Sequence, residues 1–171
     1  MPGRSRTGCS SDRRGVLWLV TLLAASGLVP GQSAFAGFAE GVAAYDGGDL
    51  RAAYEEWLPL AEAGDNRARV ALAGLLESGA PGVPRDMAAA ARWYQRAALD
   101  GDAIAQMNLG ELYARGAGVP RDPVRALAWL SLAAAQGRRW AARRHAALAD
   151  RLTSEQRAAA AALAETWRRK N

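Results

Sequence analysis

The sequence reads GVPRD at residues 82–86 and reads GVPRD again at residues 118–122. Trp57, Trp93 and Trp129 follow one another at the same interval, which is 36 residues. A fixed period of this length is typical of stacked helical repeats, in which each unit buries its apolar face only against its neighbours. The repeated segment therefore predicts an array of helices with an extended surface for partners.

The composition also favours helices. Half of the 171 residues are hydrophobic, but only 7% are aromatic, and alanine dominates the long apolar runs. Alanine has the highest helix propensity and occupies little space between helices. No stretch alternates polar and apolar residues as a half-buried strand does. We therefore predict an all-α protein.

Residues 1–36 have the layout of a secretory signal peptide. A basic region up to Arg14 is followed by an apolar run from Gly15 to Val29. Pro30 and Gly31 are expected to end the helix of that run, and the small-residue site Ala34-Phe35-Ala36 follows. This order is typical of a segment that is cut after an A-x-A site. The apolar run is shorter than the ~20 residues that span a membrane comfortably.

We therefore predict cleavage after residue 36, export to the periplasm or the medium of a bacterium, and no stable membrane insertion afterwards. An uncleaved membrane anchor is the alternative. Arg13 and Arg14 also leave both general and twin-arginine export open.

Most of the positive charge lies in this leader. The formal net charge is +5, but 18 basic and 16 acidic residues remain when residues 1–36 are left out. A nucleic-acid-binding protein carries a basic patch or stripe. We therefore predict no nucleic-acid partner and interpret the remaining charges as a solvated helical surface.

Residues that could carry catalysis are scarce. Cys9 is the only cysteine and would leave with the leader, and His145 is the only histidine. One histidine without cysteines or a carboxylate pair cannot build a zinc site, and no nucleophile elbow or phosphate-binding loop is present. We predict no catalytic residue, no metal site and no cofactor.

Two complete units span residues 65–101 and 102–137, each in the order helix, Gly-Pro loop, helix, glycine. Aspartates stand where each helix would begin and glycines where it would end, as caps do. These positions are Asp65, Asp86, Asp102 and Asp122 for the starts, and Gly64, Gly79, Gly101, Gly116 and Gly137 for the ends. Two units alone would leave apolar end faces in water. We therefore predict a degenerate helix pair over 37–64 and a capping pair over 138–171.

The second unit resembles the Sel-one-like repeat (SLR) family of the tetratricopeptide-like superfamily. The matching residues are Ala105, Leu109, Gly110, Leu112, Tyr113, Gly116, Gly118, Val119, Pro120, Asp122, Ala126, Trp129 and Gly137. The resemblance implies a right-handed superhelical α-solenoid of about four antiparallel helix pairs, whose first helices line a concave face. Together with the signal-peptide layout of residues 1–36, it identifies the chain as an exported bacterial member.

The candidate partner-binding residues lie on the first helices, opposite the stripe of Leu109. The candidates are Ile104, Met107, Glu111, Trp140, Arg143 and Arg144. They would form a mixed apolar and charged groove; the alternative is that the apolar members pack against the neighbouring helix pair. The three tryptophans at the 36-residue interval are interpreted as core, because one per unit at the same helical site suits packing between stacked pairs.

The favoured function is a non-enzymatic adaptor of the cell envelope that binds an unidentified protein or peptide. One alternative is a β-lactam-binding or weakly hydrolytic protein, as some secreted SLR proteins are, but those carry a cysteine pair in each repeat and this chain does not. The other alternative is a self-assembling structural subunit.

Overall fold

The computed structural model describes residues 30–169, with side chains from residue 37 onward. Within this range the chain forms eight α-helices and no β-strand. The helices are α1 (Pro30–Asp46), α2 (Leu50–Glu62), α3 (Asn66–Ser78), α4 (Met87–Leu99), α5 (Ala103–Arg115), α6 (Pro123–Ala135), α7 (Arg139–Ala149) and α8 (Ser154–Arg168). Each helix from α1 to α6 packs against the next along the chain. The predicted all-α solenoid is therefore confirmed.

Helix starts follow the aspartates of the sequence. The carboxylates of Asp49, Asp65, Asp86, Asp102 and Asp122 each accept a hydrogen bond from a backbone N–H in the first turn of the helix that follows. Such caps satisfy donors that have no partner inside the helix. Thr153 is the N-cap of α8 and forms a reciprocal capping box with Gln156.

The GVPRD loop fastens the two helices of a repeat to each other. The Nε atom of Arg85 donates to the carbonyl of Glu77 at 2.9 Å, and Arg121 donates in the same way to Ala114 at 3.2 Å. Val83 is buried under the loop. The motif therefore combines a core residue, an arginine that closes the end of one helix and an aspartate that starts the next.

Trp57 and Trp129 are buried, at 4% and 2% exposed, as the core interpretation predicts. Trp93, in the same repeat position, is only half-buried, and the guanidinium of Arg96 lies 4.6 Å from its ring centroid. Trp93 nevertheless packs against the buried core cluster, so the core interpretation is confirmed only in part for this residue. Tyr94, one position later, is the aromatic side chain that α4 buries.

The difference arises from the helices that flank each tryptophan. Phe38 and Tyr45 of α1 lie with their ring centroids 5.9 Å from that of Trp57. Trp167 of α8 stacks on Trp129 at 3.9 Å and an interplanar angle of 9°. The aromatic rings that pack on Trp57 and Trp129 come from α1 and α8, the first and last helices. Trp93 lies on α4, in the middle of the solenoid, and within the described residues no ring from a terminal helix packs on it.

The last two helices share a neighbour. α7 and α8 both pack against α6. Leu127 and Ala128 of α6 form an apolar cluster with Leu152, Ala160 and Ala164. α8 thus covers the apolar end of the array, as a terminal repeat must.

The leader lies mostly outside the described residues, including the basic region and the apolar run up to Val29. Pro30 and Gly31, which were expected to end a helix, instead open α1, where the missing N–H of proline has no cost. α1 continues through the predicted cleavage site to Asp46. Cleavage after residue 36 stays a prediction. The contacts that α1 makes with Trp57 come from Phe38, Gly41 and Tyr45, which would all be retained.

Candidate partner-binding surface

The candidate surface joins two helices that are not consecutive in the chain. Glu111 lies on α5 and Arg144 on α7, and the Nε atom of Arg144 lies 3.1 and 3.0 Å from the two carboxylate oxygens of Glu111. This hydrogen bonding raises the pKa of Arg144 above its ordinary value. A bidentate pair of this kind fixes the orientation of both side chains. Two of the predicted residues are thus held together by a direct contact.

Two large apolar side chains are exposed on the same two helices. Trp140 of α7 is 46% exposed and Ile104 of α5 is 36% exposed. The guanidinium carbon of Arg144 lies 5.7 Å from the ring centroid of Trp140, which is within the range of a cation–π interaction. The ring therefore has one polar neighbour of defined position and a face that is open to solvent.

The side chain of Met107 is less exposed than the groove hypothesis predicts. It is half-buried and packs against the cluster that Leu130 and Ala133 of α6 form with Ala141 of α7. The alternative interpretation therefore holds for this residue, because the neighbouring helix pair covers much of it. Methionine suits such an irregular gap.

Arg143 is exposed and forms no ion pair or side-chain hydrogen bond within residues 37–169. It therefore makes no polar contact with the other five predicted residues. Its place in the surface rests on the repeat phase alone, because Arg143 follows Met107 by 36 residues.

Two arginines that the sequence analysis did not single out lie at the end of this surface. A cleft of about 300 Å³ opens between α5, α6 and α7. Its lining consists of Ala114, Arg121, Leu130, Arg144, Ala147, Leu148 and Arg151. Arg151 lies two residues past the end of α7, so the periodicity of Trp140, Arg144 and Ala147 along that helix could not by itself have identified it.

The corresponding face of the preceding repeats is also open. A second cleft, of about 430 Å³, is lined by Val70 and Gly74 of α3 and by Tyr45 of α1, among others. Val70 and Gly74 precede Met107 and Glu111 by one repeat. Tyr45 is 49% exposed. The surface at α5 and α7 is therefore one part of a longer face that the odd-numbered helices line.

Titratable groups in the described chain do not gather into a reactive site. Burial lowers the pKa of His145, which lies in a separate cleft with Ser131 and Arg157. Burial also raises the pKa of Tyr94, whose hydroxyl lies 3.4 Å from Glu77. No group of three or more histidines, cysteines or carboxylates within the described residues could hold a metal ion. In the same part of the chain, every helix is too short or too polar to cross a membrane.

Comparison with known proteins gives one family. The Sel1 repeat model matches residues 67–102 and 103–137. No curated protein matches the chain.

Two solved structures are similar. One is c5321, described as a protective antigen present in uropathogenic Escherichia coli strains displaying an SLR fold; the TM-score is 0.75, the sequences are 30% identical, and the match covers 80% of this chain but only 30% of c5321. The other is a Sel1 repeat protein from Oxalobacter formigenes, with a TM-score of 0.60 and 33% identity over 68% of this chain and 90% of that one.

Proposed function

The chain belongs to the Sel1 repeat family, and from this premise we propose that it is a non-enzymatic adaptor that holds a protein or peptide partner in the bacterial cell envelope. The Sel1-repeat fold commonly mediates protein–protein interaction, and the family is generally a non-catalytic repeat scaffold. The proposed location in the cell envelope is based on the signal-peptide layout of residues 1–36.

The observation that carries the proposal is the exposed ring of Trp140 beside Arg144, which forms an ion pair with Glu111; Ile104 is a second exposed apolar side chain, on α5. Binding energy at protein interfaces concentrates in a few residues, and tryptophan and arginine are the most frequent among them. Here a tryptophan and an arginine are neighbours on a rigid helix. A partner that covers Trp140 would bury its free face and leave the charged groups at the rim.

The first experiment is site-specific photo-crosslinking in living cells. A photoreactive phenylalanine analogue replaces Ile104 in one variant and Ala159, an exposed residue of α8, in a control variant. We expect a protein adduct from position 104 and none of the same mass from position 159. Adducts of equal yield at both positions would contradict binding at this surface, and adducts that contain only a second copy of the chain would favour a self-assembling subunit.

The second experiment measures affinity with the purified partner. Trp140→Ala is expected to raise the Kd by at least about tenfold. Truncation of a tryptophan at the centre of an interface commonly costs about 2 kcal/mol or more of binding free energy, and about 1.4 kcal/mol corresponds to a factor of ten in Kd. Trp93→Ala is the matched control, since Trp93 is also partly exposed but lies on α4, outside the surface. Equal weakening by both variants would show that the loss arises from general destabilisation and would contradict the proposal.

A further inference from the structure

The cleft of about 300 Å³ at the end of the candidate surface is lined by charged and by apolar residues. Its arginines are Arg121 from the GVPRD loop, Arg144 of α7 and Arg151, which follows α7. Leu130, which is buried, and Leu148 line the same cleft. We refer to this feature as the arginine cleft.

The three arginines differ in how much of their hydrogen-bonding capacity is already used. Arg144 is neutralised by Glu111. Arg121 uses its Nε atom on the carbonyl of Ala114, and no carboxylate of residues 37–169 forms an ion pair with it. The side chain of Arg151 makes no hydrogen bond or ion pair within that same range. The arginine cleft therefore carries an excess of two positive charges and several free N–H donors.

The part of the chain that contains Arg144 and Arg151 also has an excess of positive charge. Residues 138–171 contain nine lysines and arginines and three acidic residues, whereas residues 37–137 contain nine basic and thirteen acidic residues. The near-neutral balance of the whole chain thus conceals a basic C-terminal part and an acidic remainder. A basic patch attracts ligands of opposite charge and raises their rate of association.

We infer that the arginine cleft binds a carboxylate of an acidic peptide segment in the protein partner, with a neighbouring apolar side chain of that segment on Leu148 and Ala147. This inference rests on the proposed function, since it names the chemistry of the partner for the same surface. The planar guanidinium fork of Arg121 or Arg151 accommodates a carboxylate through two parallel hydrogen bonds. The apolar lining residues suit a peptide side chain.

Two features favour a peptide over a nucleic acid. The lining of the arginine cleft includes four apolar residues and no aromatic ring on which a base could stack. The arginine cleft, of about 300 Å³, also holds only two arginines that form no ion pair within the described residues, Arg121 and Arg151. A nucleic acid would need a longer basic groove.

The test uses a fluorescein-labelled peptide of alternating leucine and glutamate, with the leucine–glutamine peptide as its uncharged control. The purified protein is titrated by fluorescence anisotropy, in wild-type form and as Arg151→Gln and Arg151→Glu. Arg92→Glu on α4 is the charge-matched control, because Arg92 is exposed and lies outside the arginine cleft. Circular dichroism verifies that each variant is folded.

We expect the acidic peptide to bind, and its affinity to fall by about tenfold or more in Arg151→Glu, less in Arg151→Gln and little in Arg92→Glu. Binding should also weaken when salt rises from about 50 to about 300 mM, since added ions screen exposed charges. Equal loss in Arg151→Glu and Arg92→Glu would overturn the inference. Tighter binding of a single-stranded oligonucleotide or of inorganic phosphate than of the peptide would also overturn it.

The outcome is separable from that of the proposed function. If the cross-linked partner binds the wild type and Arg151→Glu equally well, the arginine cleft is not its site, and the adaptor function still stands on Trp140 and Ile104. If no partner is cross-linked but the acidic peptide binds through Arg151, the inference about the arginine cleft stands without the adaptor.

Discussion

Asp102 lies at the junction of the two matched repeats, and its carboxylate accepts hydrogen bonds from the N–H groups of Ile104 and Ala105 at 2.9 and 2.8 Å. These partners are two and three positions from Asp102, so the contact requires no residue that is distant in the sequence. Asp65 makes the equivalent contact one repeat earlier, with Arg67 and Ala68. Single aspartates thus set where the helices begin.

We expect Asp102→Ala to lower the free energy of unfolding by about 1 kcal/mol, because two N–H groups at the start of α5 lose their partner. Asp102→Asn should cost less, since the amide oxygen can still accept. Asp46→Ala is the control, because Asp46 lies at the C-terminal end of α1, where a negative charge gives no favourable interaction with the helix dipole. Urea denaturation followed by circular dichroism measures all three; equal losses for Asp102→Ala and Asp46→Ala would contradict the capping role.

His145 makes the stability depend on pH. Its pKa in the folded protein is lowered from 6.5 because burial disfavours the charged imidazolium. The unfolded chain therefore binds the proton first as the pH falls, and protonation favours unfolding. The stability from the neutral, buried imidazole is fully present above pH 6.5 and is lost as the pH falls from there towards the lower pKa of the folded state.

We therefore expect the free energy of unfolding to be smaller at about pH 5 than at about pH 7, and to differ less between these values in His145→Gln. Urea denaturation at a series of pH values measures the difference. An identical pH dependence in the wild type and the variant would show that His145 is not the group responsible.

At the scale of the elements, the GVPRD loop does more than connect two helices. Gly118 has a positive φ of 70°, and a Cβ atom built on it would lie 2.1 Å from the carbonyl oxygen of Met87 at the start of α4. One repeat earlier, a Cβ on Gly82 would lie 3.1 Å from Arg51 of α2. Each loop therefore lies against the second helix of the preceding repeat, and the glycine allows that approach.

Gly118→Ala is expected to destabilise the protein by about 3 kcal/mol or more, since the left-handed conformation and the contact with the α4 backbone both oppose the new methyl group. Gly137→Ala separates the two effects, because Gly137 has a φ of 82° but no atom within 4 Å of a built Cβ. That variant should lose only about 1–2 kcal/mol. Thermal and urea unfolding of both variants measure the difference, and equal losses would show that loop packing against α4 contributes nothing.

At the scale of the whole molecule, the solenoid is stabilised by contacts between neighbouring units and by its two ends. α1 covers Trp57, and α8 covers Trp129. Stability in such arrays is approximately a sum of unit and interface terms. The loss of one end should therefore weaken the whole, most strongly in the unit next to it.

A chain that ends at Thr153 lacks α8 and exposes Trp129, Leu127 and Ala128. We expect it to lose at least about 3 kcal/mol of unfolding free energy, comparable with truncation of one buried aromatic side chain. A chain that ends at Arg169 is the control and should match the full-length protein. Urea unfolding followed by tryptophan fluorescence measures both, and a full-length stability in the shorter chain would contradict a capping role for α8.

Much of the fold could be predicted from short stretches of the sequence. The period of 36 residues, the aspartates that start helices and the glycines that end them each act over a few residues, so the order of helices could be predicted without any knowledge of distant contacts. Glu111 and Arg144 could be placed on one face in the same way, from helix periodicity and the repeat phase.

The burial of particular side chains could be decided only by the tertiary structure. Trp57, Trp93 and Trp129 are equivalent in sequence, yet only the first and last are buried, because α1 and α8 supply aromatic covers from segments outside the two matched repeats. Met107 is half-buried because α6 and α7 close over it. The sequence by itself determined a repeat solenoid, through local contacts, whereas the surface open to a partner depends on how far each helix is covered by segments remote in the chain, which no local pattern encodes.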